Sequence, residues 1–417
     1  MTPRARQIYY SLGIVALGLT GRAIIDKVLA LHGGAEAVAL WGQTTSMIDL
    51  LAGVAMNGLG MGIAVVVAQT GRPEQRLAVL TCGMTIGLML SAAFLMLLWL
   101  FPQLLTGLAG GALAETVLLL AGITGCLSII SGSVNSYWLG GQQQGWMLSL
   151  AGLGVLASLA AIVWPGADQF LMVRLLLAQS TVAIIILAGL LLYIWHHWGE
   201  QRRQPWPWRI LLRFLPAGVS IGLMSPLSTL FMRLVLADAL SWQDVGMIQA
   251  QWRVTDWVAA ISGGIMSTYF LPALSHAIHT RADFLRMIRT MALVTLLPGL
   301  VVFVGFMASR QPIMTLFYQE GFAMPWQAAL AFLLGDWMRI SAWIFLHGLF
   351  ALHRTWAISI GEFLSLPLFA LLLWSLPRLL SLPMSLTVAG GCWLASYVVY
   401  ALFNSWMMLR RWPQQSV

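Results

Sequence analysis

Residues 26–58 read DKVLALHGGAEAVALWGQTTSMIDLLAGVAMNG, and residues 232–264 read MRLVLADALSWQDVGMIQAQWRVTDWVAAISGG. The two stretches share one plan. A base near the end of an apolar run (Lys27, Arg233) is followed by a short polar break, and then by a second run that carries an acid (Asp49, Asp256). Base and acid are 22 residues apart in the first stretch and 23 in the second. Charged positions match as well as apolar ones, which predicts an internal repeat.

Working outward, apolar runs long enough to cross a bilayer recur along the whole chain. A membrane-spanning helix needs about 20 mostly apolar residues. Twelve segments qualify, at roughly 7–30, 38–69, 77–101, 112–139, 146–164, 170–195, 211–237, 244–271, 284–308, 326–352, 356–376 and 384–409. The runs are continuous rather than alternating, which disfavours a β-barrel. The polar, basic stretch HHWGEQRRQPWPWR at 196–209 divides the segments six and six. The expected architecture is an all-α polytopic membrane protein of twelve transmembrane helices. Two pseudo-symmetric six-helix lobes, 1–197 and 210–417, would be joined by a cytoplasmic linker at 198–209. Spans 1 and 7 begin on the same side, so the repeat would be parallel, about an axis along the membrane normal.

Composition agrees. Of 417 residues, 59% are hydrophobic and only 9% charged, which excludes an ordinary soluble domain. The net charge of +8 could suggest nucleic acid, but its distribution argues against that partner. Arg4 and Arg6, Arg72 and Arg76, Arg202, Arg203, Arg209 and Arg213, Arg281, Arg286 and Arg289, Arg354, and Arg410 and Arg411 fall at the termini and in alternate loops. The intervening loops hold only Arg310 and Arg378, with Lys27 near one edge. Cytoplasmic loops carry the excess of bases, so both termini are expected in the cytoplasm. The first span is too long for the apolar region of a cleavable signal and is expected to stay as an anchor. Cys82, Cys126 and Cys392 lie inside predicted spans without paired spacing, so disulfides and zinc are not expected.

Charge at bilayer depth costs a few kcal/mol or more, so it normally faces a partner or a watery cavity. Ten such residues stand out: Arg22, Asp26, Lys27, Asp49, Arg233, Arg253, Asp256, Asp336, Arg339 and Glu362. Arg22–Asp26 are spaced i,i+4, and Arg253–Asp256 and Asp336–Arg339 i,i+3, so each pair can share one helix face. Internal neutralisation explains such pairs as well as function does. Arg suits phosphate because its planar guanidinium donates two parallel hydrogen bonds. A cavity holding Arg22, Lys27, Arg233, Arg253 and Arg339 would favour a diphosphate or acidic headgroup. Asp26, Asp49, Asp256, Asp336 and Glu362 would balance charge or couple transport to an ion. Glu362 is the most suggestive, with no base within one helical turn. Gln43, Thr44, Thr45, Ser46, Asn57, Asn135, Gln249 and Gln251 could meet sugar hydroxyls, or hydrogen-bond between helices. Trp41, Trp252, Trp257, Trp337 and Trp343 could stack on sugars, although interfacial anchoring and packing are commoner uses.

Absences narrow the field. Lys27 is the only lysine and is followed by Val, so no nucleotide-binding GK[ST] exists. No HExxH occurs, and His276 and His279 sit in a basic loop. The loops have no room for a catalytic domain, and neither an enzyme activity nor a cofactor is expected.

Three stretches carry a family resemblance: residues 232–277, 333–363 (LLGDWMRISAWIFLHGLFALHRTWAISIGEF) and 34–60, with Gln69 closing the helix of the last. They resemble the Wzx-type flippases for O-antigen and enterobacterial common antigen lipid intermediates, in the multidrug/oligosaccharidyl-lipid/polysaccharide (MOP) exporter superfamily. Lys27, Arg233, Asp256, Asp336, Arg339 and Glu362 match charged positions of that pattern. Arg22, Asp49 and Arg253 have no matched position there and rest on the residue argument alone. The resemblance implies two six-helix lobes around a central cationic cavity. It implies carriage of an undecaprenyl-diphosphate-linked oligosaccharide across the bacterial inner membrane, driven by a proton or sodium gradient. Membrane lipids, a glycan polymerase and a chain-length regulator are the implied partners. A drug/cation antiporter of the same superfamily predicts an acidic, aromatic cavity instead. A lipid II flippase commonly carries two further helices. A major-facilitator sugar transporter would show a GxxxDRxGR-like loop, which TGRPEQR at 70–76 matches poorly. A membrane glycosyltransferase or polymerase would need catalytic acids in a loop, and 310–325 offers only Glu320.

Overall fold

The structure is a computed structural model that describes residues 3–410, apart from 101, 110, 112, 168–169, 197–205, 279 and 353. Most of the predicted linker at 198–209 lies outside the described residues, as do Arg202, Arg203, His279 and Arg411. The side chains of Arg4, Arg6, Asn57 and His276 lie outside them too.

The described residues form helices and no strands, as the continuous apolar runs require. Lipid cannot hydrogen-bond the backbone, so each span must satisfy its own N–H and C=O groups. Among the described residues, eight helical spans are long and apolar enough to cross a membrane: 73–93, 115–140, 144–163, 171–196, 281–308, 326–351, 356–379 and 386–409. The other four predicted spans, 7–30, 38–69, 211–237 and 244–271, are helical as well. They hold Arg22, Asp26, Lys27, Asp49, Arg233, Arg253 and Asp256, seven of the ten charges singled out above. The charged helices are therefore the first two of each half.

These helices also share local irregularities. The first two spans run as one helix, α1 (Pro3–Val54), kinked at Gly34 with φ 64° and ψ −160°. That backbone region is open essentially to glycine alone. In the second half, α9 (Leu215–Ala239) and α10 (Trp242–Ile265) are separated at Ser241, which caps α10 by accepting a hydrogen bond from the Asp244 N–H at 3.0 Å. The offset from Gly34 to Ser241 is 241 − 34 = 207, and that from Asp49 to Asp256 is 256 − 49 = 207. Each second span then loosens into a π-helical turn, at Ala55–Gly60 and at Met266–Phe270, before α2 (Met61–Gln69) and α11 (Leu271–Ala277). Such turns are rare and frequently lie at functional sites.

The chain divides into two compact units, 1–33 with 40–230, and 34–39 with 231–417. In the first, α5 (Glu115–Gly140) packs on α3 (Pro73–Leu100), α7 (Leu171–His196) and α2, and α6 (Gln144–Val163) lies on α7. A buried hydrogen bond of 2.9 Å joins Thr124 on α5 to Ser180 on α7. Leu211, on the short α8 (Trp208–Leu212), completes a core with Leu59, Ile63, Val67 and Cys82.

In the second unit, α12 (Arg281–Ala308) and α14 (Trp326–Ala351) pack together, and α14 lies along α17 (Leu386–Leu409) in the most extensive helix pairing of the molecule. Lipid tails are as apolar as leucine, so close van der Waals fit must hold such a pair. Small residues permit it: a Cβ on Gly335 would collide with the indole of Trp393. Trp393 is buried and packs on Trp252, Phe332, Phe369 and Tyr397 at centroid distances of 4.6–6.4 Å. Aromatic pairs of this kind contribute about 0.5–1.5 kcal/mol each beyond burial. Gln251 donates to the Ala329 carbonyl at 3.0 Å and the Tyr318 hydroxyl to that of Ala250 at 3.3 Å, which fixes α10 within this unit.

Candidate functional site

Six of the ten predicted site residues belong to the second unit, and Arg339 is the centre of one group. It sits in the middle of α14, where the i,i+3 spacing places Asp336 one turn earlier on the same face. Nη2 of Arg339 donates to Asp256 Oδ1 at 2.8 Å, and the same nitrogen stands 3.3 Å from Asp336 Oδ1. Asp256 comes from α10, so the guanidinium ties two helices together. Its carbon lies over the rings of Trp343 and Trp393, 5.7 and 5.8 Å from their centroids. The two carboxylates differ in environment. The Asp336 side chain is 0% exposed and that of Asp256 44% exposed. One base and two acids thus meet beside two indole rings.

Arg233 is buried near the end of α9, and its Nη2 donates to Gln249 Oε1 on α10 at 2.8 Å. Arg253 is half-buried on α10, one turn before Asp256. Glu362 lies apart. It is next to last in α15 (Thr355–Phe363), where the helix breaks before α16 (Leu366–Leu379). At that break its carbonyl accepts from the Ser365 hydroxyl at 2.6 Å, and Pro367 opens the next helix. Its Oε1 accepts a hydrogen bond of 2.9 Å from the Tyr400 hydroxyl on α17. The amide of Asn404, one turn beyond Tyr400 on the same helix face, is buried. Broken helices at membrane depth are tolerated where they line a cavity or are enclosed by protein.

Arg22, Asp26, Lys27 and Asp49 are all carried by α1, in the first unit. Asp26 is buried, Lys27 half-buried, and Arg22 and Asp49 exposed on that unit. The predicted pairing of Asp336 with Arg339 is present, and Arg339 recruits Asp256 as well.

The sequence reading passed over Trp393, Tyr400, Asn404 and His347. The first three lie on α17 at spacings of seven and four residues, one helix face. Polar atoms recurring at helical spacing in an apolar run were the available signal. His347, on α14, meets the Ser267 hydroxyl at 3.1 Å, inside the second π-helical turn.

These features define a polytopic α-helical membrane protein with charges organised inside its spans. No protein-family model and no curated protein matches the sequence. Solved structures do match in fold. A multidrug resistance MATE family transporter of the MOP superfamily, in an inward-facing conformation, superimposes with a TM-score of 0.66 at 14% identity, over 99% of this chain and 96% of that one. The lipid II flippase MurJ, in an inward closed conformation, gives 0.68 at 13% identity, over 97% and 88%. A MOP superfamily transporter from Pyrococcus furiosus, described by a binding pocket of reverse polarity, gives 0.61 at 15% identity, over 98% and 96%. The chain has the fold of the MATE/MOP transporters.

Proposed function

We propose that this protein is a flippase. It moves an undecaprenyl-diphosphate-linked oligosaccharide from the cytoplasmic to the periplasmic leaflet of the bacterial inner membrane, by alternating access driven by a proton or sodium gradient. The observation that carries this reading is the set of five bases in helices at bilayer depth (Arg22, Lys27, Arg233, Arg253 and Arg339), on a fold shared with a lipid II flippase. Guanidinium groups match a diphosphate in charge and geometry. Asp26, Asp49, Asp256, Asp336 and Glu362 balance these bases or carry the coupling ion. Both termini lie in the cytoplasm, and a glycan polymerase and a chain-length regulator receive the product. The resemblance to Wzx-type proteins favours an O-antigen or enterobacterial common antigen intermediate over lipid II.

A second reading draws on one specific observation. Arg339 is held between Asp256 and Asp336 beside two indoles. An acidic, aromatic recess of that kind suits a lipophilic cation, as in a MATE-like drug antiporter.

Flipping in proteoliposomes separates the two. A fluorescent polyprenyl-diphosphate oligosaccharide is the substrate, and accessibility to an external quencher reports its leaflet. Wild type is expected to translocate it. Arg233→Gln, which removes one charge-assisted contact of about 1.5–3 kcal/mol, is expected to slow it roughly ten- to a hundredfold, with Arg233→Lys intermediate. Absence of translocation by wild type, together with saturable binding of a lipophilic cation, overturns the flippase reading.

A further inference from the structure

The last turns of α9 and α16 enclose a groove that none of the chemistry above uses. Its volume is about 600 Å³, within the range that holds a small ligand or part of a larger one. Leu234, Val235, Leu373 and Met384 make its walls apolar. Two side chains of opposite charge, Asp238 and Arg378, line it as well. Both stand at helix ends. Asp238 is next to last in α9, and Arg378 lies in the last turn of α16. Arg378 donates to the Trp374 carbonyl, and its guanidinium carbon lies 5.1 Å from the centroid of that ring. Trp374 is itself an exposed lining residue, an aromatic suited to the level of lipid headgroups.

The charge pattern selects the ligand. Apolar walls offer nothing to a free sugar or nucleotide. A diphosphate headgroup would meet Arg378 but be repelled by Asp238. A cationic drug would meet Asp238 but be repelled by Arg378. A zwitterion satisfies both, and a chain of CH₂ groups satisfies the walls by leaving water. We infer that this groove binds a phospholipid bearing a phosphate and a primary ammonium. The phosphate lies at Arg378, the ammonium at Asp238, and an acyl chain runs along the walls. The arginine distribution assigns these helix ends to the outer leaflet. The assignment is independent of what cargo the protein carries.

Native mass spectrometry of the full chain in detergent tests it. Phosphatidylethanolamine, phosphatidylglycerol and phosphatidylcholine with identical acyl chains are offered in equal amounts. Wild type is expected to retain phosphatidylethanolamine several-fold over the other two. Asp238→Asn should erase the preference over phosphatidylglycerol, and Arg378→Gln should lower retention of both. Asp238 is exposed, and Arg378 donates within its own helix end, so both variants should fold; a single size-exclusion peak checks this. Equal retention of the three lipids by wild type, or a preference unchanged in both variants, overturns the inference. Displacement of phosphatidylethanolamine by a substoichiometric prenyl diphosphate also overturns it, and assigns the groove to the cargo instead.

Discussion

Removing the Arg339 guanidinium should cost far more than removing either of its partners. In Arg339→Met, Asp336 keeps its charge at 0% exposure and loses the cation 3.3 Å away. Breaking a buried pair from one side costs about 3–5 kcal/mol, because the remaining charge is stranded. Asp336→Leu leaves Arg339 its 2.8 Å bond to Asp256, so the loss should be nearer 1–3 kcal/mol, about that of one buried partner. Asp256→Asn keeps an acceptor at a 44% exposed site, and solvent screening limits its cost to about 1 kcal/mol. The double variant Arg339→Met/Asp336→Leu removes both buried charges and replaces them with apolar groups. It should therefore be more stable than Arg339→Met alone, with a coupling of about 2 kcal/mol. Reversible unfolding by dodecyl sulfate in mixed micelles, followed by helical circular dichroism, measures all four variants. The reasoning fails if the two single costs add to within about 0.5 kcal/mol, or if Arg339→Met is no worse than Asp256→Asn.

Other sites give simpler expectations. Gly34→Ala should lower stability by about 1–3 kcal/mol, because φ 64° with ψ −160° strains any residue with a Cβ; an unchanged unfolding midpoint would contradict the kink. Tyr400→Phe removes the 2.9 Å bond to Glu362 and should cost about 0.5–1.5 kcal/mol, whereas Glu362→Gln keeps an acceptor for that hydroxyl and should cost less. Reversal of that order, measured in the same micelles, would show that Tyr400 does not hold the carboxylate.

What the sequence disclosed was whatever lies along one helix. The spans, the i,i+3 relation of Asp336 to Arg339 and the isolation of Glu362 from any base on its own helix were all legible. The two stretches that predict a repeat break at Gly34 and at Ser241, positions as far apart as their two acids. Partners brought from elsewhere were not legible. Asp256 reaches Arg339 across 83 residues and Tyr400 reaches Glu362 across 38. Spacing within a helix says nothing about which helices meet. Trp393 was hidden for a related reason. A tryptophan in an apolar run looks the same whether it anchors at the interface or fills a core, and only the bare Cα of Gly335 opposite decides for the core.

The distribution of charge between buried and accessible positions bears on which cargo is carried. Counted by type, the ten charges are balanced, five bases against five acids. Burial breaks the balance. Asp26 and Asp336 are buried, as is Arg233, whereas Arg22 is exposed and Lys27 and Arg253 are half-buried. Among the acids Asp49 is exposed, and Asp256 and Glu362 are half-buried, but Asp256 is already bonded to Arg339 and Glu362 to Tyr400. Two of the three accessible acids are thus engaged within the second unit, through partners on α14 and α17. A cation approaching that unit would have to compete with Arg339 for Asp256. An anion would meet Arg253 on the same helix, one turn away. On the flippase reading proposed above, an anionic headgroup arriving at that unit would exchange partners with Arg253 rather than displace Asp256 from Arg339.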